Sequence, residues 1–151
     1  MSEAMMSEGF ETQPISMLPM WQVAFLAPQE DVDRIFDAVA QVAPLAYGAT
    51  DRNGYRLTGG VEYYRPTEAA PTGADDPRQR PGVDQMRMFV PRDMAVLGRM
   101  IEAIYEVHSY YEPPITVTEV LRSQTRGLDD NQNPYRWWNR GGDWKNGTSA
   151  P

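Results

Sequence analysis

Asp33-Arg34-Ile35-Phe36-Asp37-Ala38-Val39-Ala40-Gln41-Val42 is answered farther along the chain by Gly98-Arg99-Met100-Ile101-Glu102-Ala103-Ile104-Tyr105-Glu106-Val107. Apolar and polar positions coincide in the two stretches, and the apolar ones recur at the three- and four-residue spacing of one helical face. Each copy follows an apolar run closed by proline. Phe25-Leu26-Ala27-Pro28 precedes the first and Met88-Phe89-Val90-Pro91 the second, with two extra residues in the second connection. The chain therefore contains an internal duplication whose unit reads as strand, tight turn, helix.

The elements around this repeat follow from local chemistry. Trp21, Val23 and Phe25 stand in a run that is apolar at nearly every position, as in a strand buried on both faces. Glu30, Asp31 and Asp33 suit the positive end of the first helix, and Pro44 stops it. Tyr55 to Thr58 and Val61 to Tyr64 read as one strand interrupted by a bulge at Gly59-Gly60. Residues 66–82 hold four prolines and two glycines and read as a long loop with no structure of its own. Asp93 is the expected N-cap of the second helix, and residues 115–121 form the last strand. The order β-α-β-β-α-β predicts an α+β protein with the ferredoxin-like split-βαβ fold: a four-stranded antiparallel sheet with both helices on one face.

The domain reading is a mobile leader over 1–19, one folded domain over 20–122, and an extension over 123–151 that docks on the body or on a neighbouring subunit. Within the extension, Asn133 and Pro134 suit the start of a short helix over 133–140 that lays at least one of Trp137 and Trp138 against a surface. With 151 residues and 41 % hydrophobic residues, the chain has material for one core and not two. The net charge of −7 is concentrated outside the C-terminal extension, and an acidic body disfavours a nucleic-acid partner. No stretch has the length and apolarity of a membrane span, and the absence of cysteine removes disulfides and thiolate chemistry. A cytoplasmic protein is the expectation.

Only one His and one Lys are present, His108 and Lys145. A nucleophile–His–acid triad, a Schiff-base lysine, a Walker loop and a zinc-hydrolase cluster each require residues that are lacking or wrongly placed. Binding or signalling is favoured over enzymatic chemistry. His108 falls at the end of the second helix with Glu112 in the following turn. Its imidazole suits Cu(II) or Zn(II), with Glu112 and a neighbouring subunit completing the shell; the plainer reading is a helix-end residue bonded to backbone. Tyr110, with Tyr111, Tyr63 and Tyr64, offers aromatic faces either for a cleft or for packing. Arg65 and Glu68 either pair at the base of the long loop or leave Arg65 free to bind an anion.

Some local strings resemble known families. Residues 60–73, with Arg65-Pro66-Thr67-Glu68 at their centre, are similar to a segment of the ferredoxin-like domain inserted in Nif-three-like proteins. His108-Ser109-Tyr110-Tyr111-Glu112-Pro113 resembles the His-Pro-Tyr-Glu-Glu-Pro turn that closes that domain and the related turn of the CutA family, with Ser109 in place of Pro. Asn133-Pro134-Tyr135-Arg136-Trp137 is similar to the aromatic end of CutA-type chains. The dinuclear-metal halves of Nif-three-like proteins have no counterpart, so their hydrolase function is not carried over. The resemblance implies a CutA-like or PII-like domain, forming trimers with ligand or metal sites between subunits; loop 66–82 stands where PII-like proteins carry a partner-binding loop, and its alternating charges read equally as a solvated loop.

The function expected on these grounds is a non-enzymatic, trimeric binding or regulatory protein. It takes a small ligand or a divalent metal at an intersubunit cleft near His108, Tyr110 and Glu112, with Arg65 and Glu68 as further ligand-binding candidates. Two other classes stay open: a small enzyme using His108 or a tyrosine as general acid–base, and an adaptor that docks through its aromatic tail.

Overall fold

The computed structural model describes residues 7–127 and 131–139. The elements are β1 (Phe10–Glu11), β2 (Ile15–Pro28), α1 (Val32–Val42) entered through a 3-10 turn at Gln29–Asp31, β3 (Tyr55–Tyr64), β4 (Arg78–Pro91), α2 (Met94–Val107) and β5 (Ile115–Thr125). β2 is the axis of the sheet. One of its edges pairs with β5 from Ile15↔Thr125 to Phe25↔Ile115, and the other with β4 from Met20↔Pro91 to Pro28↔Val83, both antiparallel. β3 lies outside β4, and the two-residue β1 pairs with β2 at Met17 and Ser16. The four long strands thus stand in the order β5-β2-β4-β3, the ferredoxin-like arrangement anticipated from the repeat.

The duplication is visible in the core. Val32, Ile35 and Val39 are the buried residues of α1, and their counterparts Leu97, Met100 and Ile104 are those of α2. In the strands Val23, Phe25 and Ala27 match Met86, Met88 and Val90. These side chains form one cluster because alternate strand residues share a face, which puts both helices on the same side of the sheet. Asp93 caps α2 as expected, accepting from Ala95 N at 2.9 Å and Val96 N at 3.4 Å.

Three boundaries differ from the sequence expectation, each for a reason of strand pairing. The first long strand begins at Ile15, five residues before the expected domain start, because the N-terminal part of β2 finds partners in β1 and in the far end of β5. β5 accordingly runs to Thr125. The third difference is the loop expected over 66–82: Arg78 to Pro81 pair with Tyr64 to Val61, so β3 and β4 extend as a ribbon beyond the sheet. What remains of the loop is folded. Thr67 O accepts from Ala70 N and Ala70 O from Gly73 N, and Pro66 O accepts from Asp75 N at 3.1 Å, closing its neck.

The Gly59-Gly60 bulge is present, with register shifts on both sides of Gly60. Gly59 has φ +83°, and a Cβ on Gly60 would lie 2.5 Å from Val83 O, so no larger residue fits there. Beside the bulge lies Asp84, 2 % exposed on the helix-facing side of β4. Its Oδ2 accepts from Arg56 Nε at 2.9 Å and its Oδ1 from Gly59 N at 3.3 Å. Arg56 also reaches Gln29 O at 2.8 Å and Asp33 at 3.3 Å, tying β3 to the entrance of α1. Removing one member of a buried pair leaves the other charge unpaired. Asp84→Asn is therefore expected to lower the unfolding free energy by about 3 kcal/mol, measured by urea denaturation, with a conservative change at exposed Asp76 as the neutral reference.

Candidate functional site

The connection after α2 is pinned to the rest of the fold at four points. His108 Nε2 donates to Leu26 O at 2.7 Å, and Leu26 N donates to Pro114 O at 3.1 Å, so both backbone groups of one β2 residue are taken by residues 108–114. Ser109 Oγ donates to Asp31 Oδ2 at 2.6 Å. Arg34 donates to Val107 O from Nε at 3.1 Å and Nη2 at 2.9 Å, closing the end of α2 from α1, and pairs with Asp31 at 2.9 Å. The hydrogen bond from Ser109, ahead of the cost of burial and the pull of Arg34, holds the Asp31 carboxyl below its usual range. Ser109, one of the two residues, with Tyr111, at which this turn departs from the turn it resembles, thus has a definite partner.

This anchoring sets Tyr110 into a cleft of about 660 Å³ between residues 109–114, the outer ribbon of β3 and β4, and the folded loop. The hydroxyl of Tyr110 donates to Glu62 Oε1. The Arg80 guanidinium lies between two rings, 4.8 Å from the centroid of Tyr110 and 5.0 Å from that of Tyr64, and donates to the Tyr64 hydroxyl at 3.1 Å. These groups meet because Glu62 pairs with Arg80 and Tyr64 with Arg78 across the ribbon, and residues two apart share a face. Arg78 forms an ion pair with Asp75. Arg65 also lines the cleft and has no ion-pair partner among the described residues.

The two tyrosines are pushed apart by their surroundings. Burial, with Glu62 as the next cause, raises Tyr110 from the ordinary 10.0 to about 12. At Tyr64 a desolvation effect in the same direction is outweighed by Arg78 and Arg80, and the hydroxyl shifts down. Tyr110 therefore remains a hydrogen-bond donor at neutral pH, which keeps Glu62 oriented beside Arg80.

Tyr110, Glu112 and Arg65 are brought together around the cleft; His108 and Glu68 are not among its lining residues. The pairing of Arg65 with Glu68 does not form. His108 is a supporting residue: besides its bond to Leu26, its Nδ1 accepts from Tyr110 N at 3.0 Å, so both ring nitrogens are engaged. This is the backbone-bonded arrangement given as the plainer reading of His108. Neither imidazole nitrogen offers a lone pair without losing a backbone bond, and no group of three or more His, Cys, Asp or Glu is placed to hold an ion among the described residues. Arg78 and Arg80 were missed because the loop reading hid their strand, and Glu62, already read as a strand residue, because its cross-strand partner Arg80 was hidden with them. The alternation of Glu62 with Tyr64, and of Arg78 with Arg80, was the available signal.

In the C-terminal segment Asn133 caps a turn as expected, its Oδ1 accepting from Tyr135 N at 2.8 Å, but the turn is a short 3-10 one at Trp137–Asn139. Trp137 and Trp138 pack edge to face with each other at 5.6 Å and are 47 % and 48 % exposed. The start of the expected leader, Trp144 and Lys145, and the end of the expected helix at residue 140 lie outside the described residues. No described helix is long and apolar enough to cross a membrane.

No protein-family model and no curated protein sequence matches the chain. Solved structures similar to it include NIF3-related, CutA1 and GlnK proteins. A Bacillus cereus protein related to NIF3 matches with a TM-score of 0.59 at 15 % identity, over 74 % of this chain and 29 % of that one. CutA1 from Oryza sativa matches with a TM-score of 0.49 at 14 % identity, over 69 % and 82 % of the two chains. GlnK from B. subtilis in complex with ATP matches with a TM-score of 0.46 at 8 % identity, over 68 % and 82 %. The chain spans under a third of the length of the NIF3-related protein, and its likeness to that protein is one of fold.

The Tyr110–Glu62 bond has a spectroscopic consequence. A folded-state value raised above the unfolded one stabilises the fold fully below pH 10.0, and this contribution is lost as pH rises towards about 12. In an ultraviolet titration of the folded protein, one tyrosine is expected to ionise near 12, and in Glu62→Gln that step moves down towards the ordinary value. An unchanged titration in the variant would remove Glu62 as a cause.

Proposed function

We propose that the protein is a non-enzymatic, homotrimeric binding or regulatory protein of the CutA-like and PII-like kind, and that the cleft beside Tyr110 takes a small anionic ligand with a flat ring. The observation that carries this is the Arg80 guanidinium seated between Tyr64 and Tyr110, with Arg65 unpaired at the same cleft. Guanidinium groups recognise carboxylate and phosphate through several donors at once, while aromatic faces accept a stacked ring. A trimer is supported by the outer edges of β3 and β5, which have no strand partner within the described chain, since unpaired edges are usually paired or protected. A cytoplasmic setting belongs to the same proposal and rests on the lack of any cysteine for a disulfide framework.

The binding reading is favoured over general acid–base catalysis because Tyr110 is moved away from neutrality and both His108 nitrogens are committed to backbone. A copper or zinc ion at His108 would have to displace one of those bonds. Docking through the C-terminal segment stays as a second reading on one observation, the half-exposed Trp137 and Trp138.

ATP joins a flat ring to a chain of anionic groups and is the probe of choice. Calorimetry is expected to show saturable ATP binding that weakens at least about tenfold in Arg80→Gln, the loss of one charge-assisted contact. Adenosine alone is expected to bind more weakly than ATP. No binding at millimolar ATP, or equal binding by the variant, contradicts the proposal. Light scattering is expected to report a trimer, and a monomer at micromolar concentration would remove the assembly from it.

A further inference from the structure

A second arginine is held between aromatic rings, far from the cleft in the pairing scheme of the sheet. Arg122 of β5 stands opposite Leu18 of β2, near the end of the sheet that β1 borders. Its guanidinium carbon lies 3.7 Å from the ring centroid of Tyr47 and 4.4 Å from that of Phe89. Unlike Arg80, it makes no ion pair or hydrogen bond among the described residues. Burial pushes the Arg122 guanidinium below its ordinary range, the sign of a cation partly stripped of water with no carboxylate in return.

The loop carrying Tyr47 is built to keep it there. Tyr47 and Thr50 exchange both backbone hydrogen bonds, at 2.8 and 3.0 Å, around Gly48 with φ +56°. Thr50 Oγ1 donates to Tyr47 O at 2.7 Å, and Asn53 Nδ2 donates to Leu45 O at 2.9 Å. Leu45 and Arg52 both adopt left-handed backbone, with φ of 53° and 54°, a conformation that costs non-glycine residues energy and persists where the surroundings enforce it. The Tyr47 hydroxyl meets Ser123 Oγ at 3.1 Å. Beside the stacked guanidinium is a recess of about 180 Å³, whose walls include the apolar side chains of Leu18, Met20 and Ala46.

We propose that this recess is a second ligand site, in which Arg122 binds the carboxylate of a small, apolar organic acid. Both rings lie close against the guanidinium, and its unpaired N–H groups supply the donor surface that suits a carboxylate. The bonded pair of Tyr47 and Ser123 hydroxyls stands beside it and keeps one O–H free to donate. One cation with apolar walls matches a monoanion with an apolar body. A nucleotide, with several charges and a bulk suited to the larger cleft, does not match it.

Butyrate is the test ligand, with butanol as its uncharged analogue, measured by ligand-observed NMR titration of the full chain. Saturable butyrate binding is expected, weakened at least about tenfold in Arg122→Gln and several-fold in Tyr47→Leu, and unchanged in Arg80→Gln. The last variant separates this site from the cleft beside Tyr110, and Tyr47→Leu tests the recess with Arg122 in place. Butanol is expected to bind more weakly than butyrate. The proposal is overturned if the parent protein binds no butyrate, if folded Arg122→Gln binds it as tightly as the parent, if Tyr47→Leu binds it unchanged, or if butanol binds equally well.

Discussion

The candidate site depends on the backbone of Leu26. Its carbonyl accepts from His108 and its amide donates to Pro114, so residues 108–114 are clamped to the central strand where the β2–β5 pairing ends. A carbonyl left without a donor in a covered position costs about 1–3 kcal/mol. The single histidine is thereby a structural clasp, and its placement fixes everything after it. Ser109 falls against Asp31, Tyr110 against Glu62, and the Tyr110 ring beneath Arg80. The clasp also joins the two halves of the duplication, since α1 closes the end of α2 through Arg34.

An acidic chain with a net charge of −7 has gathered positive charge at two places and flanked it with rings in both. The two differ in what else surrounds the cation. Arg80 shares its cleft with Glu62, Arg78 and Arg65, a polar setting in which acid and base are interleaved. Arg122 stands without an acid, beside leucine and methionine. Stacking contributes about 0.5–2 kcal/mol to holding a guanidinium in place, and it leaves the N–H edge available for recognition.

The fold was legible because duplication and periodicity report burial directly. Val32, Ile35 and Val39 and their counterparts in α2 are core residues in both readings. Strand ends were less legible: Ile15 to Pro19 and Arg78 to Pro81 owe their strand state to partners distant in sequence. The site was legible in part for the same reason. Tyr110, Glu112 and Arg65 were found from the turn and loop that carry them, but Glu62 and Arg80 become neighbours only through cross-strand register. That Leu26 and Tyr110 claim the two nitrogens of His108 was not legible, because both contacts depend on the tertiary fold.

The claim that the cleft beside Tyr110 is the ligand site is tested most directly by mapping amide chemical-shift changes in isotope-labelled protein during an ATP titration. The account predicts saturable shifts confined to residues 62–72, 78–80 and 109–114, the segments that line the cleft. Shifts that cluster elsewhere, or none at saturating nucleotide, would contradict it.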